Sequence, residues 1–205
     1  MATRAVSVGI DQARERAAAR GVTRLGGVAA ITVAAARVVM GLLWQQELYW
    51  KSPEWLGGQP NWGCGAGMDG GLCKYIIQSV QHPFIAPYSQ IVDAFIRPNI
   101  GFFGGLVFLT ELTCAVLLIL GLFTRLGGVL GAAQATNLLI LLAKVPNEWY
   151  WAYVMMITLH VLLAALAAGR YVGLDYFIVR YLDRVAPPGQ PGAGPAWARG
   201  LRLLV

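Results

Sequence analysis

Four long apolar runs constrain this 205-residue chain more than any other feature, at roughly 25–48, 100–122, 126–145 and 149–168. Each is close to the twenty or so residues that a helix needs to cross a hydrocarbon core of about 30 Å. Tight turns at Phe123-Thr124-Arg125 and Pro146-Asn147-Glu148 join the later runs, whereas residues 49–98 separate the first two. Only 13% of the residues are charged, about half of what a soluble domain uses to solvate its surface. The pattern predicts an all-α integral membrane four-helix bundle, solvated by a lipid bilayer, with a long loop between helices 1 and 2.

The net charge of +6 could serve a nucleic-acid partner. The basic residues sit instead in short tails beside the apolar runs, where they set topology, so nucleic acid is excluded. With the N-terminus inside, eleven of the 16 Lys and Arg fall in inner segments. Four (Lys51, Lys74, Arg97 and Lys144) fall in outer ones, and Arg37 lies within a run. Trp44, Tyr49, Trp50, Trp149, Tyr150 and Trp151 then form an outer aromatic belt. Both termini are expected in the cytoplasm and the 49–98 loop outside it.

The chain divides into a basic N-terminal tail (1–24), a membrane domain (25–184) and a Pro/Gly-rich C-terminal tail (185–205). A helix lying at the membrane surface is plausible at about 8–20. The first apolar run is too long for a signal peptide and lacks a small-residue cleavage site. Within the loop, the glycines from Trp62 to Gly71 oppose regular structure. Tyr88 to Ile96 has helical spacing and predicts a short interfacial helix ending near Pro98. The stretch from Pro187 to Pro195 is expected to be disordered.

Polar groups inside the runs are costly unless paired, so each is a candidate site residue. Arg37, Glu111 and Asn137 each lie about 12 residues from the inner end of their runs, or roughly 18 Å at the helical rise. Gln134 is one turn nearer the inside, and His160 lies about 9 residues in, roughly 14 Å. The matching depths predict an Arg37–Glu111 ion pair with Gln134, Asn137 and His160 as neighbours. One reading makes this layer structural glue that fixes helix register. The other makes it a site for a quinone head group or a proton relay, in which Glu111 and His160 exchange protons and Arg37 holds an anion. With only His82 and His160, and no second cysteine-rich element, no metal site is expected.

Cys64 and Cys73 share the polar loop as C-x8-C, while Cys114 lies in an apolar run. Outside the cytoplasm the pair can persist as a structural disulfide. A redox-active pair and two free thiols remain open, since the spacing is not that of C-x-x-C oxidoreductases. Gly101-x-x-x-Gly105 and Gly127-x-x-x-Gly131 permit close helix approach.

Three segments together resemble the DoxX/DoxD family. The first is Arg37-Val-Val-Met-Gly-Leu-Leu-Trp44 followed by Tyr49-Trp50-Lys51-Ser-Pro-Glu-Trp55. The second is Glu111-Leu-Thr-Cys through Gly-Leu-Phe-Thr-Arg125. The third is Ala168-Gly-Arg-Tyr-Val-Gly-Leu-Asp175. The resemblance covers about 30–184, and the long cysteine-bearing loop is similar to relatives of the small subunit of thiosulfate:quinone oxidoreductase. It implies a multi-pass protein of a prokaryotic plasma membrane. It also implies a membrane subunit of a quinone-linked oxidoreductase, serving thiosulfate oxidation or thiol redox defence, with quinone as the cofactor. The alternative is a non-catalytic anchor or scaffold. Partner subunits or a homo-oligomer are compatible with both. The sequence carries no haem, flavin or iron–sulfur motif, so electrons would pass through the quinone directly, a disulfide or a partner subunit.

Overall fold

The structure, a computed structural model, describes residues 26–52, 71–187 and 195–205, and every regular element among them is helical. Helix α1 spans Gly27–Glu47 and ends in a 3-10 turn at Tyr49–Lys51. Helix α2 spans Gly71–Gln81. Helix α3 (Ala86–Ile91) runs through a wide π turn at Val92–Ile96 and a 3-10 turn at Arg97–Asn99 into α4 (Ile100–Leu120). Helices α5 (Thr124–Leu142) and α6 (Tyr150–Ala165) follow, then α7 (Leu174–Val185) and α8 (Ala196–Leu204).

Among the described residues, three helical stretches are long and apolar enough to cross a membrane: Gly27–Lys51, Ala86–Leu120 and Thr124–Leu142. Helix α6 is equally apolar but has 16 residues, or about 24 Å. The helices pack in the order α1, α4, α5, α6, with the most extensive contact between α5 and α6. Exposed residues such as Ile31, Leu106, Val129 and Val161 leave large apolar side chains on the outside, as expected of helices whose outer solvent is lipid.

Glycines on α5 explain the close approaches. A Cβ on Gly127 would meet Leu117 and Leu118 of α4, and one on Gly128 would meet the His160 carbonyl and Ala164 of α6. One on Gly131 would overlap the His160 ring. The Gly127-x-x-x-Gly131 face therefore serves two neighbours at once. Gly101, by contrast, meets nothing within 4 Å, so its part of the other glycine pattern does not mark an interface.

The described residues of the segment expected as a loop are largely helical. In α2 the stripe Leu72, Ile76 and Val80, spaced four apart, packs against Val92, Ile100 and Leu141. Ser89 Oγ of α3 donates to the Ser79 carbonyl at 3.3 Å. The helix expected to end near Pro98 continues into α4. Pro98 falls within the 3-10 turn that links the π turn to α4, a change of helical form at the residue that cannot donate a backbone hydrogen bond.

The described residues of the tail after the last apolar run are also folded, whereas the stretch from Pro187 to Pro195, expected to be disordered, lies mostly outside the described residues. Amphipathic α7 and α8 bury Leu182, Ala186 and Ala198 against each other, with Phe123 packed beside them. The 1–24 tail, with its expected surface helix, and the glycine-rich core of the loop around Cys64 lie outside the described residues.

The end of the helix assembly that carries Tyr49, Trp149, Tyr150 and Trp151, all exposed, is called here the aromatic end. The opposite end, with Arg125 and Arg170, is the arginine end. There Gly121 closes α4 at φ +63°, a left-handed position that favours glycine.

Candidate functional site

The expected Arg37–Glu111 pair is not formed. Arg37, only 2% exposed, sends its guanidinium to the arginine end. There Nη1 donates to the Leu118 and Ile119 carbonyls, the latter at 3.1 Å, and Nη2 donates to the Val172 carbonyl at 2.5 Å. Those α4 carbonyls belong to the last turn of the helix, where no backbone N–H reaches them and the helix dipole is negative. Arg37 thus caps α4 from α1. Beside it, the buried Asp175 carboxylate accepts the Phe123 and Thr124 amides at 2.7 and 2.9 Å, capping α5 from α7. The matching depths of Arg37 and Glu111 did not bring them together because the long arginine stem carries its charge toward one end of the helix.

Glu111 pairs instead with Lys51, from the 3-10 turn that ends α1. Lys51 Nζ lies 2.6 Å from Glu111 Oε2, and the side chains are 7% and 1% exposed. Gln134 Nε2 approaches Glu111 Oε1 at 3.5 Å, the outer limit of a hydrogen bond. Lys51 also sits 4.5 Å from the centre of the Trp50 ring, a cation–π arrangement, and 3.9 Å from Glu47 Oε2. A buried pair of this kind holds only because each charge has its partner.

The pair lies at a cavity of about 390 Å³ between α1, α2, α4, α5 and α6, within the range of small-molecule sites. Met40, Leu43, Leu138, Leu141 and Met156 contribute apolar wall, with Trp44 and Trp50 beside them. Glu111, Gln134 and Asn137 all line it, so three of the expected residues share one site. Asn137 Oδ1 accepts the Tyr88 hydroxyl.

At the aromatic end of the cavity stand Glu47, Tyr75, Glu148 and Tyr153. Trp50 Nε1 donates to Glu47 Oε2 at 3.1 Å, and the Tyr153 hydroxyl donates to Glu148 Oε2 at 2.6 Å. Burial raises the pKa of the Tyr75 phenol above its ordinary value, and the Glu148 and Glu47 carboxylates raise it further.

His160, fully buried, stands behind the cavity wall. Trp44 Nε1 donates to its Nε2 at 2.8 Å, and Nδ1 lies 2.7 Å from the Met156 carbonyl. An indole N–H can only donate, so Nε2 is the acceptor and Nδ1 carries the proton. Both nitrogens are engaged within the protein, and neither is bonded to Glu111. The expected Glu111–His160 proton exchange has no direct hydrogen bond between the two side chains, and His160 holds the Trp44 indole against the cavity.

Cys73 is fully buried near the start of α2, and Cys114 is a buried free thiol. Cys64 lies outside the described residues. Among the described residues no three His, Cys, Asp or Glu side chains gather as a metal-ligand set.

Lys51, Glu47, Tyr75, Glu148 and Tyr153 were not expected in the site. Lys51 reads in the sequence as an outer-loop charge, although its spacing of four from Glu47 places both on one helical face. Only the fold turns that face inward over Glu111.

The profile of the family described as DoxD, TQO small subunit DoxD, matches residues 72–187, more than half of the chain. No curated protein and no solved structure matches the sequence.

Proposed function

The chain belongs to the DoxD family, and from that premise we propose that it is a membrane subunit of a quinone-linked oxidoreductase whose cavity receives a quinone head group. The observation that carries this reading is the 390 Å³ cavity with apolar walls and the buried Lys51–Glu111 pair. A ring with two carbonyl oxygens and an apolar tail matches such a lining, because its few polar atoms need donors and the rest need only contact.

A quinone supplies two-electron acceptor chemistry when bound. The protein's part is donation and proton transfer. Lys51 Nζ and Gln134 Nε2 are the donors nearest the pair, and Lys51 offsets negative charge that develops on a carbonyl oxygen. Glu111 Oε1, held only by the long contact to Gln134, is the atom that carries a proton to or from the ring. Trp44, fixed by His160, and Tyr75 exclude water.

In this proposal the four apolar helices form a transmembrane four-helix bundle in a prokaryotic plasma membrane. The aromatic end faces outward, and both termini lie in the cytoplasm. Thiosulfate is the favoured electron donor, and partner subunits or a second copy complete the complex.

The test uses the purified full chain in lipid nanodiscs. Quenching of tryptophan fluorescence by a short-chain quinone should saturate, and thiosulfate should drive quinone reduction. Absence of saturable quenching defeats the quinone site. Saturable binding without turnover, together with stoichiometric co-purification of other subunits, supports the anchor reading instead.

A further inference from the structure

Charge around the cavity is unbalanced. Among the described residues, three carboxylates, Glu47, Glu111 and Glu148, line it, and Lys51 is the one cationic side chain in the lining. That ammonium is already committed to Glu111 at 2.6 Å. Glu47 is 3.9 Å from the same ammonium, and Glu148 is held by the Tyr153 hydroxyl, a neutral donor. The apolar walls raise the reach of these charges, because Coulomb energy grows as the local dielectric falls.

We propose that Glu47 and Glu148 make this cavity selective for uncharged head groups, so that anionic quinones and sulfur anions are turned away. The inference rests on the quinone reading and adds its selectivity. Rejection of this kind works through repulsion built against the wrong ligand rather than through new contacts to the right one. It also separates the two substrates in space. A thiosulfate dianion meets an excess of negative charge here, so its electrons must enter from a site outside this cavity.

The experiment compares 1,4-naphthoquinone with its 2-sulfonate on the full chain in zwitterionic nanodiscs, reading tryptophan quenching. At low ionic strength the sulfonate should bind at least about tenfold more weakly, the equivalent of about 1.4 kcal/mol. Because Glu47 is 55% exposed, added salt should narrow the gap by screening. The Glu47→Gln, Glu148→Gln double variant should bring the two affinities to within about threefold of each other, roughly half of that free-energy gap being lost. Thiosulfate should not displace the neutral naphthoquinone.

Equal binding of the matched pair by the wild-type chain overturns the proposal. So does a gap that neither salt nor the double variant changes, since that would reflect the lipophilicity of the ligands. Failure of both naphthoquinones to bind defeats the quinone reading itself and is distinguishable from either result.

Discussion

Lys51 Nζ and Glu111 Oε2 are 2.6 Å apart, and the pair joins the end of α1 to the middle of α4 with both side chains almost out of solvent. Each charge is tolerable only because of the other. Lys51→Met and Glu111→Leu should each destabilise the protein by about 3–5 kcal/mol, as a lone buried charge is left behind. The double substitution should recover much of that loss. Denaturant or thermal unfolding in one detergent, run as a double-mutant cycle, measures the coupling. Additive losses would show that the two side chains do not depend on each other.

Arg37 is expected to matter for stability and not for the cavity. Its guanidinium holds the Leu118, Ile119 and Val172 carbonyls and does not line the site. Arg37→Met should lower stability by roughly 3 kcal/mol or more, since bonds from a charged donor contribute about 1.5–3 kcal/mol each. Under conditions where the variant remains folded, quinone affinity should be within about twofold of wild type, a difference of well under 1 kcal/mol. A large selective loss of affinity would return Arg37 to the site.

His160 acts through Trp44 if the two bonds it makes are its role. His160→Phe removes the acceptor and leaves the Trp44 indole N–H unsatisfied, at a cost of about 1–3 kcal/mol. Trp44→Phe removes the donor as well, and combining the two should cost less than the sum of the single changes. His160→Gln, which offers an amide oxygen to the indole, should restore part of the quinone affinity lost in His160→Phe. Equal loss in both would argue against positioning through this bond.

Cys64 and Cys73 are expected to be linked. Closing a loop of about ten residues contributes roughly 2–3 kcal/mol in the chain-entropy picture. Mass spectrometry of unreduced protein from its native membrane should yield one cross-linked peptide pair. Free thiols at both positions would refute the link.

Apolar run length by itself determined that this chain is a set of long membrane-type helices, because roughly twenty apolar residues in sequence have few other stable fates. The positions of α1, α5 and α6, and the end of α4, were legible for that reason. The same principle flagged Glu111, Gln134 and Asn137, which do meet at one cavity, since polar groups in apolar runs seek partners. The glycine face of α5 was legible too, because a missing side chain at spacing four marks a groove.

Partner choice was decided only by the tertiary structure. Depth along a helix does not give the direction of a side chain, and Arg37 and Lys51 have stems long enough to carry their charges well away from their backbones. Arg37 reached the carbonyls closing α4, and Lys51 reached back to Glu111. Helices α2 and α7 were missed because glycines or charges flank short amphipathic stripes whose buried faces show only against their packed neighbours. Leu72, Ile76 and Val80 become a packing face only once α3 and α5 stand opposite them. The acidic rim formed by Glu47 and Glu148 arises in the same way, from the end of α1 and the connection before α6, which only packing brings to one cavity.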